Sequence, residues 1–200
     1  MSLKNIFLKQ FEKPSGNIGK LVGWVMSVSN KEMLGWMIEK MKISATDKVL
    51  EVGYGTGDAI HAIAGKLTTG FIEGVDHSEV MYRSATKKNA FYISNQKVRL
   101  HIGNIWSVQY RASFDVVCGS NVHFFWENPV EELTHLYSLL KTGGRIVLSF
   151  QPRWVKSEEE VSLLADILKE QYQMTGFKEI DIDYKLMKPV TCVYVSGKKI

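Results

Sequence analysis

The sequence is poor in the features that would fix a fold from outside its core. It has two cysteines and four prolines in 200 residues. Cys118 and Cys192 lie inside apolar, strand-like runs and form no CxxC pair, so both are expected to be buried free thiols in a reducing compartment. A chain of this length can bury a full core without disulfides or metals. No apolar run reaches membrane-spanning length, and the N-terminus lacks the apolar stretch and cleavage site of a signal peptide. A cytoplasmic soluble protein with no membrane partner is expected. Internal repeats and low-complexity segments are missing. Strong charge of one sign is missing too: the formal net charge of +4 is too small to imply nucleic acid, and no nucleic-acid partner is expected.

What is present is an ordinary globular composition, 45% hydrophobic and 23% charged. The positive excess sits in the first quarter, where residues 1 to 48 hold eight lysines against four acids. A solvated helical surface accounts for it, and attraction of an anionic substrate is the sharper alternative. Residues 1 to 12 alternate apolar and basic at helical spacing, and Pro14, Gly16 and Gly19 mark a loop. From about residue 20 to 42 the chain is rich in methionine and tryptophan: Trp24, Met26, Met33, Trp36, Met37 and Met41. Asn30 suits the N-cap of the helix carrying the last four. Such a stripe favours core packing over a ligand box.

From Lys48 onward strands and helices alternate. Strands are expected at Lys48–Gly53, Gly70–Asp76, Lys97–Ile102, Phe114–Ser120 and Gly144–Gln151. Helices are expected at Asp58–Leu67, Glu79–Ser94, Val130–Leu140 and Ser157–Thr175. Two last strands, Phe177–Leu186 and Val190–Ser196, flank the turn Met187-Lys188-Pro189. This alternation implies βαβ units, a parallel sheet covered on both faces and a doubly wound α/β fold. The final pair is too close for a crossover and is expected to be an antiparallel edge hairpin.

The most informative stretch is Val49–Gly57, Val-Leu-Glu-Val-Gly-Tyr-Gly-Thr-Gly. A buried strand carrying Glu51 breaks into Gly53, Gly55 and Gly57, and a helix opens at Asp58. Glycines here let backbone amides approach a ligand unobstructed. A phosphate loop needs Gly-Lys-Ser/Thr, whereas the sequence reads Gly57-Asp58-Ala59. A dinucleotide fingerprint needs glycine at 58, and Asp58 there would repel a pyrophosphate. An acid ahead of the loop suits a ligand bearing both an ammonium and a carboxylate.

With Glu51 and E-x-G-x-G-x-G, the chain resembles the class I S-adenosylmethionine-dependent methyltransferases. Gly74-Val75-Asp76-His77-Ser78 resembles that family's second motif, whose acid grips the ribose hydroxyls; Asp76 stands 19 positions after Gly57. Gly103-Asn104-Ile105 stands where an aspartate usually meets the adenine. Phe114–Asn121 is similar to the fourth motif, and Leu140–Leu148 to a late turn and strand. The resemblance covers roughly residues 45 to 197. It implies a mostly parallel seven-stranded, Rossmann-like methyltransferase sheet with a reversed C-terminal hairpin. It also implies S-adenosyl-L-methionine as cofactor, with residues 45–200 as its domain and residues 1–44 as a helical lid or substrate segment.

On this resemblance Glu51 attracts the cofactor's ammonium, and the amides around Gly53, Tyr54, Gly55, Thr56 and Gly57 accept its carboxylate. Asp76 offers two oxygens to two hydroxyls, with His77 beside it. The Asn104 amide oxygen accepts from the adenine, next to Ile105, and Asn121 closes the set. Taken singly, Glu51 reads equally as a structural cap and Asp76 as an N-cap. Strand 4 runs into Cys118-Gly119-Ser120-Asn121-Val122-His123-Phe124-Phe125-Trp126, beyond the carboxyl end where such folds bind ligands. The Asn/Asp-Pro-Pro-Tyr/Phe pattern of enzymes acting on DNA-base or protein amines is absent. His123 is the candidate general base, with packing as its other role. Phe124, Phe125 and Trp126, with Trp24, Met26 and Trp36 from the lid, are the candidate substrate pocket, or else seed the next helix and the core. His61, His77, His101 and His135 show no metal-site spacing. The expected function is methyl transfer to a small-molecule acceptor. Two alternatives are a non-catalytic S-adenosylmethionine-binding module and a nicotinamide-dependent reductase. Oligomeric state is not legible in these motifs.

Overall fold

A computed structural model of the chain describes residues 31–110 and 113–200. Residues 31–40 are helical (α1), burying Met33, Met37 and Ile38 on one face. Then follow β1 (Lys48–Val52), α2 (Asp58–Ala64), β2 (Phe71–Asp76), α3 (Glu79–Lys88), α4 (Ala90–Ser94) and β3 (Val98–Ile102). The second half runs β4 (Phe114–Ser120), a 3-10 turn (His123–Phe125), α5 (Pro129–Leu139), β5 (Leu140–Phe150), α6 (Glu158–Thr175), β6 (Lys178–Lys185) and β7 (Cys192–Lys198). The strands form one seven-stranded sheet in the order β3-β2-β1-β4-β5-β7-β6. β2 and β3 pair parallel, as do β4 and β5, whereas β7 runs antiparallel to both β5 and β6. This is the expected mostly parallel sheet with a reversed final hairpin. Among the described residues no helix is long and apolar enough to cross a membrane.

The chain divides into two compact units. One comprises the described residues up to Asp47 with Glu51–Gln109; the other comprises Lys48–Leu50 with Tyr110–Ile200. In the first, Ile60 and Ile63 of α2 and Ile72 of β2 are fully buried. In the second, Val116, Val117, Ile146, Val147 and Leu148 form the strand core, with Leu133, Leu136 and Leu168 from the helices. Near-continuous apolar runs like these are what two-sided coverage of parallel strands selects. Cys118 and Cys192 are buried free thiols.

Several element boundaries differ from the sequence expectation, each for a physical reason. The helix expected over Glu79–Ser94 breaks at Asn89, whose backbone leaves helical geometry at φ −103°, ψ 14°. β5 starts at Leu140 rather than Gly144: Phe114 pairs with Leu140 and Val116 with Arg145, so the intervening Lys-Thr-Gly-Gly bulges out of the ladder. β7 starts at Cys192, two residues late. Val190 O accepts from Gln151 Nε2 (2.7 Å) and Thr191 N donates to Glu158 (3.3 Å), so neither backbone group joins the ladder.

Candidate active site

The glycine loop after β1 is built entirely within the first unit. Gly53, Gly55 and Gly57 all have positive φ (72°, 50° and 78°). Gly53 N donates to Val75 O (2.8 Å), Gly55 N to Asp76 Oδ2 (2.9 Å) and Gly57 N to Tyr54 O (2.8 Å). The loop is thus tied to the end of β2 by backbone amides. A Cβ on Gly55 would meet nothing within 4 Å, so this part of the loop faces open space. Gly57 is different: a Cβ there would lie 2.8 Å from Ala85 Cβ and 2.7 Å from Asn89 Nδ2.

Glu51, on the buried strand beneath the loop, is 2% exposed. Its carboxyl takes a backbone hydrogen bond from Ile60, at the start of α2, while Oε2 has no partner. Burial, and then the carboxylates of Asp76 and Asp58, push its pKa up to about 8. A buried acid with one orphaned oxygen and two acidic neighbours is a receptor for a cation. Asp58 has its own partners: Thr56 Oγ1 donates to Oδ2, and Lys88 Nζ lies 2.5 Å from Oδ1.

Asp76 ends β2. Oδ2 accepts from Gly55 N, and Oδ1 accepts from Ser78 N (2.9 Å). The N-cap of α3 is Ser78, whose hydroxyl accepts from Met81 N, so Asp76 is not the cap. Each Asp76 oxygen keeps a lone pair for a further donor. His77 beside it is exposed. Tyr54 is buried and donates to His101 O (3.1 Å); burial, followed by Asp76, holds its phenol far above the usual range. Gly74 makes room for that ring, since a Cβ there would lie 2.7 Å from Tyr54 Cδ1. After β3, Ile105 is buried and Asn104 exposed; Asn104 Oδ1 accepts from Trp106 N (3.1 Å) and Ser107 N (3.0 Å).

In the second unit Asn121 has φ 54°. Its N–H donates to Ser149 O (2.8 Å) and its Oδ1 accepts from Gln151 N (2.9 Å), so it staples the ends of β4 and β5. His123 is 7% exposed with Nδ1 unpartnered, and burial alone pushes its imidazole down to about 3. Its ring centroid is 3.9 Å from that of Phe124 and 4.9 Å from that of Phe150. Phe124 in turn meets Trp154 edge-on at 4.6 Å, and Trp126 meets His123 at 6.4 Å; Phe125 is largely exposed. Trp154 is the member that the sequence reading missed. It follows β5, another parallel strand with its carboxyl end on the ligand side of such folds, which is the signal that could have found it. Trp36 is half-buried on α1, while Trp24 and Met26 lie outside the described residues.

The family profile of the methyltransferase domain matches residues 49–144, from the middle of β1 to the bulge of β5. An uncharacterized methyltransferase, YdaC, of Bacillus subtilis (strain 168) is 29% identical over 181 residues, covering 90% of this chain and 98% of that protein. Among solved structures, a Haemonchus contortus phosphoethanolamine N-methyltransferase 2 with S-adenosylhomocysteine superposes with a TM-score of 0.73 at 11% identity. That match covers 91% of this chain, which spans only 58% of that enzyme. The magnesium protoporphyrin IX methyltransferase of Synechocystis PCC 6803 with bound S-adenosylmethionine matches at TM-score 0.64 and 18% identity, over 98% of this chain and 91% of that one. By the matched methyltransferase domain and the relative that it covers almost end to end, the chain is similar to the S-adenosylmethionine-dependent methyltransferases, and the solved structures of such enzymes share its fold.

Proposed function

We propose that the chain transfers the sulfonium methyl of S-adenosylmethionine to a small-molecule acceptor by in-line displacement. The observation that carries the site assignment is the orphaned, buried Glu51 oxygen beneath an open glycine loop. An amino-acid ammonium fits it, since ionised Glu51 would then gain the cation its setting lacks. Gly53, Gly55 and Gly57 shape the loop and spend their own amides within the protein, so the carboxylate falls to the backbone amides of Tyr54 and Thr56. Asp76 takes the two ribose hydroxyls on its remaining lone pairs, with His77 flanking. Ile105 supports the adenine. Both lone pairs of Asn104 Oδ1 are already used by backbone amides, so Asn104 meets the adenine through its amide N–H instead.

When bound, the cofactor supplies an activated methyl electrophile. The protein's work is alignment and exclusion of water, together worth about 7–11 kcal/mol of barrier. We assign acceptor binding to the aromatic group after β4, Phe124, Phe125 and Trp126, extended by Trp154. His123, neutral at physiological pH and costly to charge in its apolar setting, acts as a hydrogen-bonding partner through Nδ1 rather than as a general base. Asn121 acts indirectly, by fixing the turn that carries His123. The segment of residues 1–44, which supplies Trp36 and, outside the described residues, Trp24 and Met26, is assigned to the acceptor side and completes the proposal.

Calorimetric titration with S-adenosylhomocysteine tests the site. Wild-type protein is expected to bind, and Asp76→Ala to lose roughly 100-fold or more in affinity, the scale of two charge-assisted hydrogen bonds. Unchanged binding by Asp76→Ala would overturn the ribose assignment. Formation of S-adenosylhomocysteine with a panel of small acceptors then tests turnover.

A further inference from the structure

Asn89 is fully buried and stands where the helix after β2 breaks into α3 and α4. Its backbone N–H already satisfies the helix end by donating to Ala85 O (2.9 Å). The side chain does something further. Nδ2 donates to Ala85 O (3.0 Å) and, 32 residues back in the chain, to Gly57 O (3.1 Å). Oδ1 is buried without a hydrogen-bond partner. A half-satisfied buried amide costs stability, and an apolar residue would end a helix without that cost. Of its two side-chain hydrogen bonds, the one to Gly57 is the one that leaves the helix and reaches the loop.

Gly57 is the last glycine of the loop, and its carbonyl also accepts from His61 N (3.0 Å). A peptide unit is planar and trans, so fixing the direction of the Gly57 carbonyl fixes the N–H of Asp58 and anchors the end of the loop where it enters α2. The preceding residue, Lys88, holds the side chain of Asp58. Two consecutive residues at the end of α3 therefore grip two consecutive residues where the loop meets α2. A Cβ on Gly57 would collide with Ala85 and Asn89, so only glycine lets this end of the loop pack against α3.

Resting on the cofactor reading above, we propose that Asn89 is a positioning residue: through the Gly57 carbonyl it anchors the end of the loop whose amides receive the methionine end of the cofactor, with Lys88 as the second jaw of the clamp. The assignment separates the two ends of the ligand. Adenosine carries only the part assigned to Asp76 and the residues after β3, whereas S-adenosylhomocysteine also carries the amino-acid end.

The test compares both ligands by calorimetry on the full chain. Wild-type protein is expected to bind each. Asn89→Ala is expected to weaken S-adenosylhomocysteine at least tenfold while changing adenosine affinity by less than about threefold. A merely structural role would weaken both alike, and that result overturns the clamp, as does an Asn89→Ala protein that binds S-adenosylhomocysteine like wild type. Should Asn89→Ala not fold, as judged by circular dichroism, Asn89→Ser carries the same comparison, since its hydroxyl stops short of the Gly57 carbonyl. Wild-type protein that binds neither ligand overturns the cofactor reading and the clamp with it; wild-type binding with an unaffected variant overturns the clamp alone.

Discussion

On the proposed function, Glu51 is the residue on which cofactor binding turns. Its folded pKa, about 8, lies above the unfolded value near 4.5, so the ligand-free protein holds it protonated at neutral pH. The sign follows from proton counting. Between the two values the folded state binds the extra proton, so stability falls as pH rises from about 4.5 towards 8 and then levels. Glu51→Gln removes that penalty. Its melting temperature is expected to exceed that of wild type at pH 8.5 and to match it more closely at pH 5, as differential scanning calorimetry would show. The same variant is expected to bind S-adenosylhomocysteine at least tenfold more weakly at pH 7.5, having lost the carboxylate that receives the ammonium. At this scale much was legible in the sequence. Glu51 and the three glycines stood out from their order at the end of a strand, and Asp76 from the resemblance to the family's second motif. The local partners were not: that Asn104 spends its carbonyl on a turn, or that His123 Nδ1 is buried without a partner, depends on folded neighbours which no linear pattern encodes.

At the scale of elements, the loop is held from three directions: β2 through Val75 and Asp76, α3 through Ala85, and the α3–α4 break through Asn89. Gly74 shows how β2 accommodates it. Gly74→Val would drive side-chain atoms into Tyr54 Cδ1 and Ile60 Cδ1, which stand 2.7 and 2.9 Å from the position of a Cβ. Overpacking of this kind costs about 1–3 kcal/mol, read as a lower urea midpoint with unchanged slope. The strand and helix order was legible because parallel strands are apolar throughout and the helices are periodic. The breaks were not. Glu79–Ser94 carries helix-forming residues across Asn89, and only the tertiary bond to Gly57 marks the interruption. The Lys-Thr-Gly-Gly segment reads as a plain turn, and its role as a bulge inside β5 follows from pairing with β4.

For the whole molecule, the seven-stranded sheet is the frame on which the proposed cofactor site is built. A ligand that binds only the folded state must raise its stability. At one hundred times its dissociation constant, S-adenosylhomocysteine is expected to add about 2.7 kcal/mol, hence about 5–10 °C in melting temperature for a chain of this size. The central claim is that Glu51, buried and protonated in the free protein, gives up its proton as its carboxylate receives the ammonium of the cofactor. It is tested most directly by titrating S-adenosylhomocysteine into the protein at pH 7 in buffers of different ionisation enthalpy. The account expects one-to-one binding with close to one proton released to the buffer, a release absent in Glu51→Gln and fading above pH 8. Binding without proton release, or release unchanged by Glu51→Gln, would contradict it.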